Sequence, residues 1–369
     1  MYNCIWSMKK VLIVFNHPAP YKVRLFNELS KYFDLHVIFE RDSASDRNKN
    51  FYFEEKYNFT THKIHGIKFG REGFISSGVK KHLQYNEYDL VIMNGYSHFA
   101  EMNAINWMKK WKAPYVLYIN GGTIKKESSL KRKIKHHYIS RANAYFSPDE
   151  ESNKYLTYYG ANPQRILNYP YSTIYENEIV KERPNKEEIR KELNIKFDKV
   201  FVSSGQLIKR KNYLSLVKEW KKFPENYGFF LIGDGKQRNE IEELIKSENI
   251  KNVVLTGFLS REEMFKYFRA ADAFLFPSKE DIYGHVINEA LSQGIPAIST
   301  NKVNSAVKLI KNAKNGFLLN ELKGKELEKA VNEILKLDLF DNCVNTAKEN
   351  TIEKMAERHV EMINEVISK

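Results

Sequence analysis

Short apolar runs, each followed by a segment with helical spacing, recur from residue 11 to residue 319, and the series restarts near residue 200. In the first half the runs are 11–15, 35–39, 90–93, 115–119 and 144–146. In the second they are 200–203, 229–232, 253–255, 273–276, 297–299 and 317–319. Helical spacing lies between them, as in 21–32, 213–220, 238–245, 262–269 and 286–291. Buried strands this short, separated by helices, assemble as parallel sheets covered on both faces. A length of 369 residues suits two such domains. The expected fold is therefore α/β, with two Rossmann-like doubly wound domains facing a central cleft. The expected divisions are a first domain at 1–170, a linker at 171–185, a second domain at 186–345, and a helix at 346–369 that returns to the first domain. Residues 41–75 are polar, aromatic and irregular, and receive no assignment.

The composition narrows the class. Hydrophobic residues make up 42% of the chain, which excludes a disordered tail. No run of about 18 apolar residues exists, so no membrane-spanning helix is expected. Cys4 and Cys343 stand at opposite ends, and two free thiols in a reducing cytoplasm are expected. The net charge of +13 is uneven. Residues 1–170 hold 26 Lys and Arg against 15 Asp and Glu, whereas the rest holds 33 against 31. The excess is densest in 123–141. There Lys125, Lys126, Lys131, Arg132, Lys133, Lys135 and Arg141 face one acid, Glu127. Leu130, Ile134, Tyr138 and Ile139 fall near helical spacing among the bases. A basic amphipathic helix favours an anionic membrane surface over nucleic acid, and no zinc-finger or RNA-binding motif is present.

Two segments carry the chemistry. In 276–296 a strand runs into Pro277, Ser278, Glu280 and Asp281. Gly284 is then expected to open a helix that runs through Glu289 to Gly294-Ile295-Pro296. Backbone N–H groups at a helix start suit phosphate or sugar oxygens. In 203–212 a strand ends at Gly205 and Gln206, and Lys209, Arg210 and Lys211 follow. Three bases at the carboxyl end of a strand suit a diphosphate. The spacing is not that of a P-loop. The turns Gly233-Asp234-Gly235 and Gly257-Phe258-Leu259 also end strands.

Taken in order, these motifs resemble the retaining glycosyltransferases of family 4, which have the GT-B fold. The resemblance covers about residues 199–320 and includes Ala271-Asp272 before Pro277-Ser278. The first half matches loosely, through Pro20 to Leu29. The resemblance implies a nucleotide diphosphate sugar as donor and no cofactor. It implies that Arg210 and Lys211 hold the diphosphate, together with the loop of Gly205, Gln206 and Lys209. Asp281 would meet the donor sugar and Glu289 the ribose. The N–H groups of Tyr283, Gly284, His285 and Val286 would meet sugar and phosphates, and Gly257, Phe258 and Leu259 would face the base. The family usually has Glu where Asp281 stands, and Glu280 competes for that role. Gln206 replaces a usual Arg. On the acceptor side His17 and Asn120 are candidates, although an amide cannot serve as a base. No Asp-x-Asp occurs in the chain, so metal independence is expected. The expected acceptor is a glycan, lipid-linked, in bacterial surface polysaccharide synthesis at the inner face of the membrane. Competing readings are a nucleotide-sugar epimerase, a nicotinamide oxidoreductase and a noncatalytic polyanion binder. The oxidoreductase lacks a Gly-x-Gly-x-x-Gly after residues 11–15.

Overall fold

The computed structural model describes residues 8–43, 56–69 and 73–369. Cys4 and part of the unassigned 41–75 stretch lie outside these residues. The chain divides into two compact units. The first is Met1–Tyr171 with Ile352–Lys369, and the second is Ser172–Thr351.

The strands of the first unit are β1 (Lys10–Phe15), β2 (Asp34–Phe39), β3 (Thr60–Lys63), β4 (Ile67–Phe69), β5 (Gly73–Ile75), β6 (Leu90–Asn94), β7 (Tyr115–Tyr118), β8 (Ala144–Ser147) and β9 (Ile166–Asn168). Its helices are α1 (Pro20–Leu29), α2 (Gly78–Tyr85), α3 (Phe99–Trp111), α4 (Ser129–Ile139) and α5 (Glu150–Tyr158). Seven strands pair in parallel in the order β3-β2-β1-β6-β7-β8-β9. Strands β4 and β5 form a separate antiparallel pair. The central strands are buried because helices cover both faces. β3, with sequence TTHK, lies at the sheet edge and is largely exposed. That is why the unassigned stretch gave no strand signal. α4 is capped by Ser128 and buries only Ile139, leaving Leu130 and Ile134 exposed beside its bases. One base is already paired, since Lys135 Nζ lies 2.7 Å from Glu127.

In the second unit the strands are β10 (Lys199–Ser204), β11 (Tyr227–Ile232), β12 (Val253–Gly257), β13 (Ala273–Phe276), β14 (Ala297–Thr300) and β15 (Gly316–Leu319). Its helices are α6 (Lys186–Glu192), α7 (Tyr213–Trp220), α8 (Arg238–Ser247), α9 (Arg261–Ala270), α10 (Val286–Ser292), α11 (Asn304–Leu309), α12 (Gly324–Ile334) and α13 (Phe340–Lys348). The parallel order is β12-β11-β10-β13-β14-β15. Trp220 is fully buried against Phe201 and Phe229, and its indole donates to Tyr227 O at 2.9 Å.

The structure redraws three expected boundaries. The stretch expected as a linker, 171–185, is packed into the second unit from Ser172 onward: Ile174 and Ile179 join its core, and Val180 N–H donates to Ser292 O. The helix expected at 346–369 is interrupted. α13 ends in the second unit, and Asn350 gives its carbonyl to Asn288 Nδ2 at 2.7 Å. A separate helix, α14 (Ile352–Ile367), belongs to the first unit and packs on α1. The helix expected from Gly284 starts at Val286 and has seven residues. Buried Cys343 is a free thiol. No helix among the described residues is long and apolar enough to cross a membrane.

Candidate functional site

In each sheet the strand order reverses once, between β1 and β6 and between β10 and β13. Ligands of open α/β sheets bind beyond the carboxyl ends of strands at such a reversal. The second unit concentrates its polar chemistry there.

Three turns are laced together at the ends of β10, β11 and β12. Gly205 N–H donates to Ile232 O, Leu207 N–H to Asp234 O, and Gly233 N–H to Gly257 O, all at 2.8–3.0 Å. Gly233 sits at φ +133°, and a Cβ there would lie 2.1 Å from Gly205 O. Only glycine permits this contact. Beyond Gly205 and Gln206 a 3₁₀ turn, Lys209–Lys211, presents the three bases. Asn212 follows in the left-handed region and starts α7. Tyr213 Oη donates to Ser204 O at 3.0 Å, and burial pushes its phenol above the ordinary range.

The loop after β13 is bonded to that 3₁₀ turn across the reversal. Lys279 N–H and Ser278 Oγ both donate to Arg210 O, at 2.8 and 3.2 Å. Thr300 Oγ1 donates to Ser278 O at 2.6 Å. These bonds bring the two segments' charges together. Lys211 Nζ pairs with Asp281 Oδ2, and both side chains are 11% exposed. Arg210 lies 3.6 Å from the same oxygen and donates to Glu280 O at 3.3 Å. Lys211 also stands 4.4 Å over the Phe276 ring. Between the two acids, Asp281 meets the bases through its side chain, whereas exposed Glu280 meets Arg210 through its backbone. Removing one partner from a buried ion pair costs about 3–5 kcal/mol.

The other expected residues are placed as follows. Gly284 is at φ +91°, with Val303 Cγ1 2.7 Å from where a Cβ would be, and its carbonyl accepts from Ser305 Oγ at 2.7 Å. The Tyr283 and His285 rings are 5.0 Å apart, just ahead of Val286. Phe258 is exposed on the turn that ends β12, with Leu259 half-buried beside it. Glu289 belongs to a network of its own. Its Oε1 accepts from Arg261 at 2.8 Å and from Thr173 Oγ1 at 3.0 Å. Arg261 is forked, giving Nε to Glu178 at 2.8 Å and NH2 to Thr173 O at 3.1 Å. Sequence reasoning missed Arg261, Thr173 and Glu178. Arg261 opens α9 behind a Ser260/Glu263 capping box, one residue ahead of the expected helix at 262–269, and nothing local in the sequence ties it to Glu289. Thr173 and Glu178 fell in the expected linker.

His17 and Asn120 belong to the first unit, beyond the ends of β1 and β7. His17 N–H donates to Asn16 Oδ1 at 2.9 Å. Asn120 donates to Asn94 Oδ1 at 2.9 Å and accepts from Tyr171 Oη at 3.0 Å. Sequence reasoning also missed Lys22 in α1. It is fully buried among Phe15, Tyr21, Tyr118 and Tyr171, and its Nζ donates to Tyr118 Oη at 2.5 Å. Burial pushes its ammonium well below the ordinary lysine range.

Comparison with known proteins puts a family beside this geometry. The chain is 36% identical over 101 residues to a 2-deoxystreptamine N-acetyl-D-glucosaminyltransferase of Niallia circulans, a match that spans 26% of each protein. It is 28% identical over 252 residues to a 41.2 kDa protein encoded in the cps region of Klebsiella pneumoniae, spanning 65% of this chain and 67% of that one. Anabaena HepE, crystallised with UDP, shares the fold at a TM-score of 0.78 and 16% identity, over 96% of this chain and all of that one. The two Rossmann-like units are therefore those of the GT-B fold, and residues 185–354, nearly all of them in the second unit, match the family Glycosyl transferases group 1.

Proposed function

We propose that this chain is a retaining, metal-independent GT-B glycosyltransferase of family 4. It moves a hexose-type sugar from a nucleotide diphosphate donor to a glycan acceptor, lipid-linked, in bacterial surface polysaccharide synthesis. The observation that carries this reading is the Lys211–Asp281 pair with Arg210 beside it, at the strand reversal of the second sheet. The UDP bound to Anabaena HepE supports a uridine diphosphate donor, and the cps-region relative supports a capsule-like product.

As the glycosidic bond stretches, the departing diphosphate gains negative charge. Lys211 and Arg210 meet that charge. Lys211 is already fixed by Asp281 and the Phe276 ring, so little reorganisation accompanies the reaction. Glu289, oriented by Arg261 and Thr173, takes the ribose hydroxyls. Departure and attack use the same face of the sugar. In a calorimetric screen of UDP-, GDP- and dTDP-sugars, one donor class is expected to bind and turn over. Glu289→Ala is expected to abolish turnover, and full activity in that variant would refute the site.

The exposed apolar residues and bases of α4 are proposed to rest on an anionic leaflet. Each base near such a surface is worth about 1 kcal/mol. Replacing Lys131, Arg132 and Lys133 with Gln should therefore weaken binding to phosphatidylglycerol vesicles roughly a hundredfold. Donor affinity should not change. Unchanged vesicle binding would remove the membrane role.

A further inference from the structure

The first unit contains a buried cluster that the proposed reaction does not use. Glu40 follows β2, and its N–H donates to Phe15 O at 2.9 Å at the end of β1. Glu101 lies in the first turn of α3, where its Oε2 accepts from Ser97 N–H at 2.7 Å and His98 N–H at 3.1 Å. His98 stands between them. Its Nδ1 is 2.7 Å from Glu40 Oε2 and 3.9 Å from Glu101 Oε2. The side chains of Glu40, Glu101 and His98 are 0%, 1% and 15% exposed.

Two carboxylates near a histidine do not by themselves make a site. A second observation concerns Glu40. Both of its carboxylate oxygens are buried; Oε2 is ion-paired with His98 Nδ1 at 2.7 Å, whereas Oε1 has no hydrogen-bond partner. A buried carboxylate left in this state costs heavily. A cation where the three side chains converge would supply the partner that Glu40 Oε1 lacks. One donor atom from each residue lies within 4.8 Å of the others, close enough to converge on a common centre.

We infer that Glu40, His98 and Glu101 form a cation site that holds one first-row divalent ion of the zinc kind. One imidazole and two carboxylates suit Zn2+, with water in a fourth position on the side where His98 is exposed. Mg2+ prefers oxygen ligands alone. The ion is held by the first unit alone and is assigned no part in sugar transfer.

The test uses the full chain after chelator treatment, titrated calorimetrically with ZnCl2 and separately with MgCl2. One Zn2+ per chain is expected, with no matching Mg2+ event. Glu40→Gln and His98→Ala should each weaken Zn2+ binding at least tenfold. A rival zinc-attracting set exists in the same unit, where His36 Nδ1 lies 2.6 Å from His62 Nε2 with His82 alongside. His62→Ala should leave the tight event in place. Loss of the event in His62→Ala, or an affinity in Glu40→Gln equal to wild type, overturns the assignment. So does the absence of any Zn2+ binding, which would mean that protons alone satisfy the cluster. If Glu40→Gln fails to fold, Co2+ substitution decides. Wild type should show the visible bands of a low-coordinate Co2+ centre, and His98→Ala should lose them; identical spectra overturn the site.

Discussion

Lys211→Ala is expected to lower donor turnover at least a hundredfold and to destabilise the second unit. Two effects contribute. Loss of one preorganised donor to a developing anion costs roughly 10²–10³ in rate. Loss of one partner also strands the other inside, at about 3–5 kcal/mol. Asp281→Ala strands Lys211 in the same way. The double variant Lys211→Met with Asp281→Leu separates these effects. Apolar replacement of both partners removes the stranded charge, so the thermal midpoint should recover most of the loss seen in either single variant. Turnover should stay at the level of Lys211→Ala. Thermal unfolding and initial rates on the same preparations check both halves. Recovery of turnover together with stability would mean that the pair serves the fold alone.

Acid is expected to destabilise the first unit before it protonates most carboxylates. His359 in α14 is fully buried among Tyr118, Phe146 and Tyr169. Its Nδ1 faces Met355 O at 2.6 Å, while Nε2 is buried without a partner. Burial pushes its pKa down to about 3, and nearby Lys22 and Arg358 push the same way. His82, beside His62, His36 and Lys10, is pushed down to about 4, chiefly by burial. Both groups are neutral in the folded unit but take up a proton near pH 6.5 once unfolded. The unfolded chain therefore binds more protons below pH 6.5, and stability falls with pH down through the folded values. At pH 5, His359 alone removes about 2 kcal/mol relative to pH 8. His82 adds a smaller amount, because solvent reaches it. Denaturant titrations from pH 8 to pH 5 test this. His359→Phe should flatten the curve by about 2 kcal/mol, and an unaltered slope would contradict the assignment.

Sequence periodicity revealed most of the fold, because strands such as 11–15 and 273–276 are buried on both faces and read as unbroken apolar runs. β3 and β9 were missed for the opposite reason. An edge strand with the sequence TTHK and a three-residue strand carry no such run. The division of the C-terminal tail was equally hidden. Residues 342–369 contain no Pro or Gly to mark a break, and Asn350, which lies in the break, makes a tertiary bond to Asn288 that only the structure reveals. At the site, the bases 209–211 and Asp281 could be picked out because charges after a buried strand have few structural uses. Their mutual pairing could not, since 70 residues separate Lys211 from Asp281. Thr173 escaped because it fell in the expected linker, and Arg261 because its partner Glu289 is 28 residues away. Lys22 escaped because nothing in Pro20–Leu29 indicates that a lysine would point into an aromatic cage.

The most direct measurement is a calorimetric comparison of UDP with uridine on wild type and Lys211→Ala. If Lys211 and Arg210 hold the diphosphate, UDP should bind once per chain, and Lys211→Ala should weaken it at least tenfold while uridine binding stays the same. Each lost charge-assisted bond is worth about 1.5–3 kcal/mol. Equal UDP affinity in the two proteins, or an equal loss for uridine and UDP, would contradict the account.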